Sequence, residues 1–204
     1  AERINSSRKP IARAIEEHDI TFIQNEAKLQ AEAGGDYIDV NAGTFVGQEA
    51  EYLKWIIEVV QEVTDKPLSI DTPDPETIRT VLPLLEKPPM INSITLEPAR
   101  LERILPLVIE KKAQVIGLCQ SENKMAESIE EKIGMAAKLV EKVTSAGVSI
   151  DDLYIDPLIY PLSANQQSAV YAITAIKKIM EDHPGVHTTC GLTNVSYGLP
   201  ERKL

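Results

Sequence analysis

Carboxylates and amides recur at the ends of short apolar runs along this chain. In order they are Glu2 and Asn5 (ERIN), Asp39 and Asn41 (IDVNAG), Asp71 (SIDT), Asn92 (MINS), Gln120 next to Cys119, Asp156 (YIDP) and Asn194 (GLTNVS). Asp and Asn also cap helices and make turns, and for any single position that reading is as good. Asp156 precedes Pro157 and Asp71 precedes Thr72-Pro73, which suits turns. The whole set is harder to explain by capping, because caps are often Ser or Thr and these residues are Asp or Asn almost throughout. Carboxylates accept hydrogen bonds, whereas amides both donate and accept. Gathered at one mouth, such groups suit a flat heterocycle with several N–H donors and a few acceptors. Lys and Arg are scarce at these ends, so a dense phosphate fits poorly. His187 opens an apolar run, and His18 and His183 fall in or after helical segments. Acid–base catalysis by His, and Ser-His-Asp or Cys-His arrangements, are therefore not expected. Cys119 and Cys190 form no CxxC and lie away from His in sequence, so no metal site is expected. Both read as small hydrophobes in a reduced, cytoplasmic setting.

Elements that end together are needed to gather these groups. Short β-rich apolar runs alternate with longer segments of helical spacing. The predicted strands are Tyr37–Val40, Leu68–Ile70, Met90–Asn92, Gln114–Leu118, Leu153–Ile155 and His187–Gly191, with the tail of a further strand in Ala1–Asn5. They are continuous apolar runs, as strands buried on both faces should be. Four apolar stripes predict core-facing helices: Tyr52, Ile56, Val59, Val60 and Val63; Leu101, Ile104, Leu105, Val108 and Ile109; Ile129, Ile133, Ala136, Val140 and Val143; and Val170, Ile173, Ile176 and Met180. Strict β-α alternation implies a parallel sheet, either open or closed into a barrel. From Asn41 through Asp71, Asn92, Cys119 and Asp156 to Asn194 the steps are 30, 21, 27, 37 and 38 residues. A barrel of eight units averages about 31 residues per unit. No GxGxxG or GxxxxGKS loop follows any strand, which removes the main support for an open nucleotide-binding sheet. The expectation is α/β, a TIM-type (β/α) barrel forming one domain over residues 1–204, and lacking most of strand 1 and strand 8. A piece cropped at both ends from a longer chain would have that pattern. In such barrels chemistry sits at the C-terminal strand ends, where the polar set falls.

The 204 residues are enough for one large packed domain. A net charge of −10 argues against nucleic acid and against an anionic membrane surface. No apolar run reaches the ~18 residues of a spanning helix, and no signal peptide opens the chain.

At the same positions, ERIN, IDVNAG, SIDT, MINS, DLYIDPLI and GLTNVS resemble in order the motifs of the corrinoid-dependent methyltetrahydrofolate methyltransferases. This pterin-binding family is related to the folate module of cobalamin-dependent methionine synthase. The resemblance runs from Glu2 to about Ser196, and DLYIDPLI and GLTNVS are its most specific pieces. It implies a β/α barrel with the pterin in its mouth. It implies that Asp71, Asn92 and Asp156 hydrogen-bond the ring, and that Asn194 reaches N5, the nitrogen that bears the methyl group. Glu2, Asn5, Asp39, Asn41 and Gln120 are further candidates for the mouth. The family moves the methyl between N5 of methyltetrahydrofolate and the cobalt of a corrinoid held on a partner protein or domain. The direction is not readable from these residues. Homodimers occur in the family. Dihydropteroate synthase shares the fold and the pterin, but expects a basic residue near the strand-seven end and a DxGGEST-like segment after strand two. Here those places read GLTNVS and IDVNAG. A folate-binding or corrinoid-docking module without catalysis is the remaining alternative.

Overall fold

A computed structural model describes residues 2–200. The chain divides into two compact units, one of residues 2–93 with 110–114 and the other of residues 94–109 with 115–200.

In the first unit the strands are β1 (Ile4–Asn5), β2 (Ile38–Asn41), β3 (Leu68–Asp71) and β4 (Met90–Ile94). They pair in sequence order and all run parallel. The register sets Asn5 beside Asn41, Val40 beside Ile70, and Asp71 beside Asn92. Asn5, Asn41, Asp71 and Asn92 therefore form one row at the C-terminal strand ends. The intervening positions Ile4, Ile38, Val40, Ile70 and Ile91 are fully buried. Helices α1 (Lys9–Glu16), α2 (Ile20–Glu32), α3 (Glu49–Gln61) and α4 (Pro75–Val81) make the crossovers. The Asp19 side chain caps α2 by accepting from the Phe22 amide. Asp74 caps α4 through the Glu76 and Thr77 amides, and Pro75 supplies the preset first turn. The predicted stripe on α3 faces inward, with Ile56, Val59 and Val60 buried. Gly34 turns the chain after α2 with φ of +86°, a conformation that would strain any side chain with a Cβ.

In the second unit β5 (Gln114–Leu118) pairs in parallel with β8 (Leu153–Asp156), and β8 with β9 (His187–Thr188). A two-stranded antiparallel hairpin, β6 (Gln120–Ser121) and β7 (Lys124–Met125), follows β5 directly. Helices α5 (Pro98–Lys111), α6 (Ile129–Ser145) and α7 (Ser168–Asp182) complete the unit. Helix α6 opens on a capping box: Ser128 accepts from the Glu131 amide, and Glu131 accepts from the Ser128 amide.

Two expectations need correction. The stripe Val170, Ile173, Ile176 and Met180 is not the core face of α7: Val170 is 54% exposed, Ile173 67% and Met180 49%. The helix instead buries Ser168, Ala172, Ala175 and Ile179. Small alanines let its backbone approach its neighbours closely, so the face with less apolar bulk packs better. Strand β9 is also shorter than His187–Gly191, because the chain leaves the ladder after Thr188 for a 3₁₀ turn over Leu192–Ser196. Ala1, part of the expected first strand tail, lies outside the described residues. Strand β1 has only two residues, and among the described residues no strand follows β9.

Candidate functional site

In the first unit, alternation along β2 and β3 puts Asp39 and Asn41 on the side-chain face of Ser69 and Asp71. Asp39 is 7% exposed. Its Oδ2 accepts from Ser69 Oγ at 2.7 Å and from Asn92 Nδ2 at 3.2 Å. Its Oδ1 is buried and has no hydrogen-bond partner. An unmet carboxylate oxygen in that position favours a donor brought by a ligand or by water.

Asn41 is saturated. Its Nδ2 donates to Asp71 Oδ2 at 3.0 Å and to the Asp71 carbonyl at 3.0 Å. Its Oδ1 accepts from Ser6 Oγ at 3.0 Å and from the Gly43 amide at 3.0 Å. All four bonding positions of the amide are filled by protein, so Asn41 works as a bracket that fixes Asp71. Asn5 likewise accepts from the Ser7 amide at 2.9 Å, a local turn bond. Glu2 stays exposed.

At Asp71 and Glu2, repulsion from neighbouring carboxylates adds to the effect of burial. Burial, then repulsion from Asp39, pushes Asp71 up to about 7, with smaller repulsion from Glu2 and Glu49 and an opposing hydrogen bond from Asn41. Burial also raises Asp39, against the hydrogen bonds from Ser69 and Asn92. Glu2, exposed as a residue but with its carboxyl partly shielded from water, is raised by that shielding and then by Asp39. A ligand that donates N–H groups would relieve this repulsion.

In the second unit, Asp156 ends β8 beside Leu118. Its Oδ1 accepts from the Leu158 amide at 2.7 Å. Burial pushes its carboxyl up to about 6, opposed by the amide of Leu158, the charge of Lys132 and the amide of Gly191. Asn194 lies in the 3₁₀ turn Leu192–Ser196, and its amide donates to the Gly191 carbonyl at 2.9 Å. Its side chain lies over Gly191, where an added Cβ would come within 3.0 Å of Asn194 Nδ2. Gly191 thus contacts both: its backbone amide hydrogen-bonds Asp156, and its lack of a Cβ leaves room for the Asn194 side-chain amide. Cys119 is buried behind β5, donates from Sγ to the Lys132 carbonyl at 3.4 Å, and is pushed up to about 12 by burial. Gln120 lies in the hairpin, where its carbonyl accepts from the Leu96 amide at 2.8 Å.

The first unit therefore brings Asp39, Asn41, Asp71 and Asn92 together, and the second brings Asp156 and Asn194 each against Gly191. Ser69 and Lys132 were not among the expected site residues. Ser69 stands two positions before Asp71, so strand alternation already put it on the site face. Lys132 interrupts the buried stripe of α6 between Ile129 and Ala136, where a cation is out of place unless it has a task. Among the described residues no group of three His, Cys, Asp or Glu could hold a metal ion, and no helix is long and apolar enough to cross a membrane.

Comparison with known proteins gives this arrangement a family. Residues 1–202 match the family described as pterin binding enzyme. The methylcorrinoid:tetrahydrofolate methyltransferase of Eubacterium limosum is 37% identical over the whole chain, which spans 76% of that protein. The methionine synthase of Mycobacterium leprae is 28% identical over 97% of the chain, which spans only 17% of that enzyme. Among solved structures, the dihydropteroate synthase of Xanthomonas albilineans with 4-aminobenzoic acid superposes with a TM-score of 0.73 over 98% of the chain and 76% of its own, at 21% identity. That likeness shows a shared fold, the β/α barrel type. The chain belongs to the pterin-binding enzymes and, within them, to the corrinoid-dependent methyltetrahydrofolate methyltransferases.

Proposed function

We propose that this protein transfers a methyl group between the cobalt of a protein-bound corrinoid and N5 of tetrahydrofolate. The observation that carries the reading is the 37% identity, over the entire chain, to a methylcorrinoid:tetrahydrofolate methyltransferase. The site chemistry supports it. A pterin presents a 2-amino group and ring N–H groups along one edge, and Asp71 and Asp156 are acceptors at strand ends. Asn92 keeps its carbonyl oxygen and one N–H for the ring while its other N–H holds Asp39. Each charge-assisted bond of this kind contributes about 1.5–3 kcal/mol.

In the direction of that relative's name, the N5 lone pair forms the new N–C bond. The Co–C bond breaks, its electron pair stays on cobalt, and the N5 proton leaves to solvent. In reverse, N5 must be protonated to leave. Asn194 cannot supply that proton, but its amide can donate a hydrogen bond that strengthens as charge develops on N5, a role worth about 2.7–4 kcal/mol in comparable donors. The same residues serve both directions. The corrinoid is a second substrate that arrives on a partner protein.

The test is to mix the protein with tetrahydrofolate and a methylated corrinoid protein, following the cobalt absorbance and the formation of methyltetrahydrofolate. Stoichiometric loss of methylcobalt with gain of methylfolate is expected. Saturable folate binding without transfer would replace the enzyme with a binding module. Condensation of aminobenzoate with a pterin would restore the synthase reading.

A further inference from the structure

Among the described residues Lys132 is the largest fully buried side chain, with 0% exposure. Among the described residues its ammonium makes no ion pair with a carboxylate. Its ammonium donates instead to three carbonyls: Ala126 at 2.9 Å, Pro157 at 2.7 Å and Leu158 at 2.8 Å. Three donors meet three acceptors, so the group is fully satisfied. It also sits 5.0 Å from the centre of the Tyr160 ring, whose hydroxyl donates to the same Ala126 carbonyl at 3.1 Å. Burying a cation is costly, and an apolar residue at this point of the α6 stripe would avoid that cost. The placement calls for another reason.

That reason lies in what the ammonium grips. Pro157 and Leu158 form the turn immediately after Asp156. Leu158 has φ of +62°, a left-handed conformation that a branched side chain adopts only when its surroundings impose it. The bond from Lys132 to the Leu158 carbonyl is one such constraint. The amide of the same residue donates to Asp156 Oδ1 at 2.7 Å. One peptide-deep link thus connects the buried ammonium to the carboxylate.

We infer that Lys132 is a positioning residue for Asp156: by gripping the Pro157 and Leu158 carbonyls it holds the turn whose Leu158 amide aims the carboxylate at the folate. The inference rests on the proposed pterin role of Asp156. The charge acts in the same sense as the geometry. Lys132 favours ionised Asp156, opposing the burial that raises it. The other titratable groups around the pair are Cys119 at the end of β5, Glu127 and Glu131 at the start of α6, Tyr160, and Cys190 after β9. Glu131 is already engaged by Lys124 at 2.5 Å. Among these groups Lys132 supplies the buried positive charge.

Two measurements test this. In Lys132→Met, KM for the folate should rise about tenfold or more at pH 7 with a smaller change in kcat. The step in folate binding near pH 6 that belongs to Asp156 should move up, so part of the lost affinity returns in alkaline buffer. A variant that only melts earlier, with midpoint and affinity unmoved, would overturn the inference, as would a loss equal at every pH. Should the variant not fold, ¹⁵N-lysine NMR of the unaltered protein carries the test. One ammonium resonance protected from exchange should shift in Asp156→Asn and on adding methyltetrahydrofolate. A resonance indifferent to Asp156→Asn overturns the link. A resonance that responds to that substitution in a protein that binds no folate keeps the link and rejects the pterin reading instead.

Discussion

Burial and its neighbour Asp39 push Asp71 up to about 7, so its carboxyl takes up a proton near neutrality rather than in acid. Protonation turns one acceptor oxygen into a donor and removes the charge from the other, so folate affinity should fall as pH drops. The loss should approach tenfold per unit below pH 7 and steepen near 6, where Asp156 also takes up a proton. Calorimetric titration between pH 5.5 and 8 checks this; a flat profile would reject both carboxylates as ring contacts. Asp71→Asn should weaken binding about tenfold or more at pH 8 and remove the step near pH 7. Asn194→Ala should behave differently. The rate of methyl transfer should fall about 10²–10³-fold with a smaller change in folate affinity, as befits a donor whose bond strengthens in the transition state. Single-turnover kinetics against equilibrium binding separates the two effects. A change in affinity alone would make Asn194 a simple binding residue.

The elements differ in how openly the sequence announces them, and the reason is physical. Strands β2 and β3 are buried on both faces along their length, which makes them easy to find, and each ends on a polar residue, Asn41 and Asp71. Asp39, Asn41, Asp71 and Asn92 could be named from the sequence. That Asn41 braces Asp71 while Asp39 keeps a free oxygen could not, because it depends on the register between strands. Helix α7 is less legible, since it is apolar nearly all round. Val170, Ile173 and Met180 form one stripe, and Ala172, Ala175 and Ile179 form another. Only packing chooses between them, and it chooses the alanines. Ala175→Leu should therefore cost about 1–3 kcal/mol by overpacking, whereas Ile173→Gln should stay within about 0.5 kcal/mol. Urea unfolding of the two variants gives the comparison, and the opposite order would restore the larger stripe as the buried face.

At the scale of the molecule, the site works against the stability of the empty protein. Asp39, Asp71 and Asp156 all have native proton affinities raised above those of an unfolded chain. Between about pH 4 and pH 7 the native state then holds more protons than the unfolded state, and its stability falls as pH rises through that window. Each such group costs up to about 1.4 kcal/mol per unit of its raised interval. Glu131 runs the other way. Held down to about 2 by Lys124 and the amides of Glu127 and Ser128, it contributes stability above its unfolded value, lost only as pH falls toward 2. It does not offset the trend near neutrality. The ligand-free protein should therefore melt at a lower temperature at pH 8 than at pH 6, and Asp71→Asn should remove part of that difference. A folate that supplies N–H donors should have the largest stabilising effect at the alkaline end, where the carboxylates are charged and unrelieved. Scanning calorimetry at pH 6 and 8, with and without methyltetrahydrofolate, measures all of these terms. A ligand-free protein more stable at pH 8 would mean that the clustered carboxylates do not repel as their burial requires.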